Sequence, residues 1–167
     1  MKDHAKLVAS CGMMAAVCIV LLLLGAVLEL GIYAAPMFAG LCLVPLGEKW
    51  GRKYQTALWL AVSLLAFLLV PNVEENLIFF GFFGWYPILR PTLQKLPKPL
   101  RLPIKLLLFN LVIAMIEWLV IYLLVPEDMT KLFLLILLGV SNLVFLLYDS
   151  IVPKTDLLLQ RLFHRKK

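Results

Sequence analysis

The sequence predicts an all-α integral membrane protein, a bundle of six transmembrane helices in one compact domain, with both termini in the cytoplasm. Hydrophobic residues fill 63% of the 167 positions, against about 45–50% in an ordinary soluble domain. Only 16% of the residues are charged, and most of these lie between long apolar runs. One soluble core of this length cannot bury so much apolar surface, whereas a bilayer solvates it directly.

Six apolar segments account for the predicted spans, because a helix needs about 20 largely apolar residues to cross a bilayer. They cover 7–28, 30–46, 54–70, 77–93, 104–125 and 131–152, and a cytoplasmic tail follows at 153–167. A proline comes directly after the third, fifth and sixth segments, where we expect it to end the helix. Prolines within the second segment, and glycines and prolines within the fourth, predict that these two spans are kinked, broken or tilted.

Basic residues test this span count independently, because Lys and Arg concentrate in cytoplasmic loops. Of the sixteen, only Lys131 falls on the predicted outer side, where Glu74 and Glu75 also lie. The remaining fifteen occupy alternate segments: Lys2, Lys6, Lys49, Arg52, Lys53, Arg90, Lys95, Lys98, Arg101, Lys105, Lys154, Arg161, Arg165, Lys166 and Lys167. We attribute the net charge of +6 to this orientation and to contact with anionic membrane lipid, not to nucleic acid.

Two basic segments near the membrane surface have their own predictions. Residues 94–103 contain three prolines, which is too many for a helix interior, so a cytoplasmic loop is expected there. The tail from Asp156 to His164 mixes leucines with basic residues and is compatible with an interfacial helix.

Small residues share one face of the first predicted span. Ala5, Ala9, Gly12 and Ala16 are separated by four, three and four positions, which places them on one side of a helix. Small side chains let a second helix approach closely in lipid. Two interpretations stay open: packing within this bundle, or a docking face for another subunit.

Ionisable residues are costly within a span and therefore mark candidate sites. Glu117 lies near the middle of the fifth predicted span, with Asn142 at similar depth in the sixth and Trp85 and Tyr86 in the fourth. We expect these groups to form one polar pocket, in which Trp85 stacks on a ligand and Glu117 neutralises a cation or accepts hydrogen bonds. The alternative is a protonated Glu117 that is bonded to a neighbouring helix.

Other polar residues lie closer to the predicted span ends. Glu74 and Glu75 follow the third span on the outer side, and they are either solvated loop residues or a cap on a pocket that opens outward. Asn110 and Asp149 lie toward the cytoplasmic ends, where we expect them to tie helix ends together.

Several classes of chemistry have no motif in this sequence. There is no phosphate-binding glycine loop, HExxH zinc motif, GxSxG elbow or paired-cysteine motif. Cys11, Cys18 and Cys42 lie in apolar stretches, and we expect them to be small buried hydrophobic residues. We therefore expect no enzyme activity, no cofactor and no metal site. Active import would need partner ATPases.

The first helix also carries a motif with a family resemblance. Residues 5–9, AKLVA, form an AxxxA pattern that residues 12–16, GMMAA, extend. Together with the six-span layout of the whole chain, this pattern resembles the substrate-binding S components of energy-coupling factor transporters. The resemblance implies a subunit of the bacterial cytoplasmic membrane that binds a vitamin or similar micronutrient from outside. It also implies docking, through AxxxA, onto a transmembrane coupling subunit that works with two ATPase subunits.

Two other functions stay open. One is a non-transporting scaffold of cell-envelope assembly, in which the irregular second and fourth spans form grooves for partners. The other is a small transporter that works alone. Stabilisation by a ligand would separate a capture subunit from a scaffold, and uptake by the purified chain in liposomes without ATP would indicate a self-sufficient transporter.

Overall fold

The computed structural model describes residues 2–28, 31–124 and 131–164, with side chains at 4–28, 31–122 and 136–155, and the regular structure in these ranges is entirely helical. In chain order the helices are α1 (Lys2–Leu28), α2 (Ala34–Trp50), α3 (Arg52–Leu69), α4 (Val73–Ile78), a π-helical segment (Phe79–Phe83), α5 (Tyr86–Leu93), α6 (Lys98–Leu124) and α7 (Lys131–His164).

Three of these helices are long and apolar enough to cross a membrane. The qualifying stretches are His4–Leu28 in α1, Lys98–Tyr122 in α6 and Ile136–Thr155 in α7. Large apolar side chains also cover their outer surfaces: Val8 is 70% exposed and Leu107 is 69% exposed. Exposed apolar surface on this scale is unfavourable in water and is typical of a lipid-facing surface. The all-helical chain is therefore compatible with a protein embedded in a membrane.

α2 and α3 are shorter than these three helices. They contain 17 and 18 residues, so each is about 26 Å long at 1.5 Å per residue. α2 begins at Ala34, later than the predicted start of the second span at residue 30, and it continues through Pro45 without a break. The prolines of this segment therefore do not divide it.

The fourth predicted span is divided. Between α4 and α5, the Gly84 N–H donates to the Phe79 carbonyl at 2.9 Å, the wide spacing of a π-helix. Pro87 has no N–H, so it cannot serve the Phe83 carbonyl as residue i+4 does in an α-helix. The Tyr148 hydroxyl donates to that carbonyl instead, at 2.9 Å. This bond ties α7 to the divided segment.

Gly40 lets α2 reach the same place. A Cβ added there would lie 2.4 Å from the Phe83 carbonyl oxygen and 2.6 Å from the Tyr148 hydroxyl. No larger residue fits without moving one of these groups. α2, the π-helical segment and α7 therefore meet around one hydrogen bond.

α6 and α7 extend well beyond the predicted spans. α6 begins at Lys98, so residues 98–103 are helical where a loop was predicted. Pro99 lies in the first turn, where an N–H has no helical partner, and Pro103 removes only one hydrogen bond from a long helix. α7 likewise continues through Pro153 to His164, past the predicted span end at residue 152.

The core consists of two adjoining clusters. One is largely aromatic and joins the π-helical segment to α6 and α7: the ring centroids of Phe109 and Phe145 are 4.7 Å apart, and those of Phe82 and Phe109 are 4.9 Å apart. The other joins α1, α2 and α3 through aliphatic side chains such as Leu22 and Leu43. Because both clusters include residues of α2, this helix lies at the centre of the bundle.

The bond between Tyr148 and the Phe83 carbonyl predicts a stability effect. Replacing Tyr148 with Phe leaves a buried carbonyl without its donor, and we expect a loss of about 1–3 kcal/mol. Thermal unfolding of the purified protein in detergent measures this loss as a lowered midpoint. Tyr122→Phe is the matched control, because Tyr122 is 75% exposed. Equal midpoints for the two variants would contradict the assignment.

Candidate functional site

A hydrogen bond links the start of α2 to the last third of α6. The Tyr33 hydroxyl donates to Oε1 of Glu117 at 2.5 Å. Tyr33 directly precedes α2 and is buried, whereas Glu117 is half-buried. The bond gives this carboxylate one of the neutral partners that an acidic group in an apolar environment requires.

A cavity of about 240 Å³ opens beside this pair. Its described lining includes Tyr33, Ile113, Glu117, Trp118, Ile121 and Leu137. Among the described residues, the walls are largely apolar apart from the phenol and the carboxylate. A small concave space with few polar groups on apolar walls is the usual composition of a small-molecule site.

The Glu117 carboxylate acts on a second acidic group, Glu74. Glu74 lies in the first turn of α4, in the connection between the third and fourth predicted spans. Burial raises the pKa of Glu74 to about 7, and repulsion from the Glu117 carboxylate adds to that shift. The two acidic groups therefore form one electrostatic unit at this end of the bundle.

Glu75 is held differently. It is fully buried, and neither carboxylate oxygen has a hydrogen-bond partner among the residues that the structure describes. The absence of a side chain at Gly25 makes room for it, since a Cβ there would lie 2.5 Å from Oε1 of Glu75. Burial raises the pKa of Glu75 to about 7.

Two asparagines position this acidic turn. The Asn72 side chain caps α4 by accepting a hydrogen bond from the Glu75 N–H at 3.1 Å. The Asn76 amide donates to the carbonyls of Ala66 and Val70, at 3.2 and 2.9 Å, which closes the C-terminal end of α3. These bonds fix α4 against α3 and set the direction of both glutamates.

Of the four residues predicted to share a pocket, Glu117 alone belongs to the described lining of this cavity. Asn142 instead forms a reciprocal amide pair with Asn110, with bonds of 3.0 and 2.7 Å. Trp85 lines a separate groove beside α3 and donates to the Gly81 carbonyl. Tyr86 points into the core, because consecutive residues of a helix face different directions. That any of these residues binds a ligand stays a prediction.

Tyr86 belongs to a buried ionic cluster around Asp149. Lys105 donates to both carboxylate oxygens, at 2.8 and 2.7 Å, while Arg90 and Tyr86 donate to Oδ1 at 3.2 and 2.6 Å. Arg90 is only 6% exposed and Lys105 only 4%. Asp149 thus ties α7 to α5 and α6, in keeping with its expected role. The sequence reasoning did not find its partners, because it assigned both basic residues to the cytoplasmic surface.

The small-residue face of α1 is open in this bundle. Ala5, Ala9, Gly12 and Ala16 are exposed, and a Cβ added at Gly12 would meet no described atom within 4 Å. The opposite side of the helix packs on the bundle through residues such as Leu22. Packing within the described bundle therefore does not account for this face, and docking of a partner stays a prediction.

Comparison with known proteins gives no relative for this chain. No protein-family model, curated protein or solved structure matches it significantly.

The ionic cluster makes its own prediction. Asp149→Asn leaves two buried cations without their counter-charge, and breaking a buried pair in this way costs about 3–5 kcal/mol. We expect loss of folded, monodisperse protein in size-exclusion chromatography. Adding Lys105→Met removes one uncompensated cation and restores part of the lost stability, measured as the thermal midpoint. A double variant as unstable as the sum of the two single variants would contradict the coupling.

Proposed function

We propose that this chain is a membrane-embedded subunit that captures a small molecule, a vitamin or similar micronutrient, from outside the bacterial cytoplasmic membrane for a multi-subunit importer. The observation that carries the proposal is the bond between Tyr33 and Glu117 at the 240 Å³ cavity. A carboxylate that shares its site with a phenol and apolar walls suits a ligand with a cationic or hydrogen-bond-donating group on an apolar body.

The proposed topology has six crossings, with both termini in the cytoplasm. The alternation of thirteen basic residues supports it, once the buried Arg90 and Lys105 are excluded. In this orientation Tyr33, Glu74 and the C-terminal part of α6 lie toward the outside. The stacked, exposed rings of Trp118 and Tyr122, with centroids 5.6 Å apart, then lie at the outer interface, where aromatic belts form.

Ligand capture in this proposal exchanges one partner of Glu117 for another. A cationic ligand competes with the Tyr33 hydroxyl for the carboxylate, and Glu74 adds negative potential nearby. Tyr33 directly precedes α2, and α2 packs on α1 through contacts that include the Cys18 thiol and the Ala39 carbonyl. Occupancy of the cavity therefore acts on the helix that supports α1.

The proposed partner is a transmembrane coupling subunit associated with two ATPase subunits. Import needs these subunits because this chain carries no ATP-binding motif. The exposed small residues of α1 support the docking role, because they allow close approach of a second helix.

The cavity predicts selective stabilisation by ligands. In a panel of micronutrients, compounds with an amine or amidine group should raise the thermal midpoint, whereas neutral analogues of the same shape should not. Glu117→Gln should weaken binding at least tenfold, the equivalent of about 1.4 kcal/mol for a lost charge-assisted bond. Glu48→Gln is the control, because Glu48 is exposed and does not line this cavity. A panel without any stabilising compound would favour the scaffold alternative.

The α1 face predicts a loss of assembly. Replacing Ala5 and Ala9 together with Leu should abolish co-purification of the ATPase module from the native host, because the added side chains hold the partner helix away. Ala57 and Ala61 on α3 have the same spacing and are also exposed, so their double replacement with Leu is the matched control. Equal loss, or no loss, in both variants would contradict docking through α1.

A further inference from the structure

A second, larger concavity lies on the lateral surface of the bundle and shares no described lining residue with the cavity at Glu117. It is a groove of about 510 Å³ between α3 and the divided fourth segment. Its walls include Arg52, Thr56 and Trp59 on α3, and Phe80, Trp85 and Thr92 on the facing segment. Phe80 is 40% exposed, so the groove opens onto the surface of the bundle rather than into its core.

The groove is polar at one end and aromatic at the other. α3 and α5 run in opposite directions, so Arg52 and Thr56, from the first turns of α3, face Thr92, from the last turn of α5. Trp59 and Trp85 each lie seven positions away from this end along their helices, about 10 Å at 1.5 Å per residue. Over this distance the lining changes from cationic and hydroxyl groups to aromatic rings. A lipid changes in the same way from its headgroup to its acyl chains.

The π-helical segment shapes the aromatic end. The extra residue in the π-helical turn places Phe80 on the lateral surface of the bundle. There its ring stacks on the Trp59 ring, with the centroids 5.4 Å apart and the planes at 12° to each other. Trp85 is held by its own bond to the Gly81 carbonyl. Gly84 makes room for Trp59, since a Cβ there would lie 2.3 Å from the indole ring. π-Helical turns within α-helices are frequent at binding sites.

We propose that this groove is a binding site for a membrane lipid with an anionic phosphate headgroup. The phosphate accepts hydrogen bonds from the Arg52 guanidinium and the Thr92 hydroxyl, and an acyl chain lies along Trp59, Phe80 and Trp85. Thr56 lines the same end of the groove, and its hydroxyl donates to the Arg52 carbonyl at 2.9 Å. A guanidinium donates two parallel hydrogen bonds to phosphate, which gives the contact both charge and geometry. The aromatic wall excludes water from the chain.

The surrounding charge favours an anion. Lys49 and Lys53 lie on either side of Arg52 in the sequence. Glu48 and Arg52 both line a separate, smaller cavity of about 210 Å³. The three basic residues outnumber this one carboxylate, so the net charge at this end of the groove is positive. In the proposed topology this end of the groove faces the cytoplasmic leaflet, whose anionic lipids are attracted to basic segments next to the membrane.

Lipid binding to the full-length purified chain tests the site. Native mass spectrometry and thermal unfolding in a neutral detergent are recorded with added phosphatidylglycerol, phosphatidylcholine or soluble glycerol phosphate. We expect a bound adduct and a raised midpoint with phosphatidylglycerol, and neither with glycerol phosphate, which lacks a chain for the apolar end. Equal binding of phosphatidylcholine would overturn the headgroup assignment. Binding of glycerol phosphate alone would show a simple anion site and would overturn the lipid.

Two single variants separate the groove from a generally basic surface. Arg52→Gln should weaken binding of phosphatidylglycerol about tenfold, the effect of one charge-assisted contact. Lys53→Gln removes the same charge from the next residue, which is exposed and does not line the groove, and it should leave binding unchanged. Equal losses in the two variants would overturn the proposal.

Crosslinking identifies the occupant in the membrane. A photoreactive amino acid at Leu89, which lines the groove, should give an adduct with the mass of phosphatidylglycerol. The same group at Leu64 is the control, because Leu64 is 72% exposed but outside the groove, and it should show no preference for anionic lipid. An adduct with another polypeptide at Leu89 would assign the groove to a partner helix and overturn the proposal. Neither outcome depends on the cavity at Glu117.

Discussion

The carboxylate of Asp149 accepts hydrogen bonds from two buried cations, and the packing of α5, α6 and α7 depends on it. Arg90 and Lys105 are almost fully buried, and each donates to this one group. A cation left alone in such an environment would cost several kcal/mol. The helices that carry these residues can therefore pack only in arrangements that bring Asp149 between them. The aromatic core that surrounds Phe82 and Phe145 fills the space next to this cluster.

The divided fourth segment is the second constraint. In hydrocarbon a freed backbone carbonyl must find another donor, and Tyr148 supplies it at Phe83. Two neighbouring aromatic residues directly follow the π-helical segment: Trp85 faces the groove beside α3, and Tyr86 faces the ionic cluster. The same short segment thus contributes both to the groove on the surface of the bundle and to its buried core.

The sequence predicted the helical class, and it predicted spans at the three helices that are long and apolar enough to cross a membrane, α1, α6 and α7. These features depend on the length and composition of one segment at a time. Tertiary partners were harder to predict. Glu117 was recognised from the cost of a carboxylate in an apolar helix, but nothing in the sequence connected it to Tyr33, its partner 84 positions away. Asn142 was assigned to the same pocket because depth alone does not show that Asn110 satisfies it. At residues 98–103 the proline content suggested a loop, yet a long helix tolerates two prolines near its start.

The amide pair between Asn110 and Asn142 has a mechanical consequence. Each side chain donates to the other, so the two bonds form at only one relative position of α6 and α7 along their axes. Sliding one helix past the other by a single turn, about 5.4 Å, would leave the two side-chain amide oxygens without donors, whereas each amide nitrogen would keep its bond to a carbonyl of its own helix. Together with the ion pair between Lys105 and Asp149, the amide pair fixes the position of α6 along α7. We therefore expect α6 and α7 to move together in a rearrangement that opens the bundle.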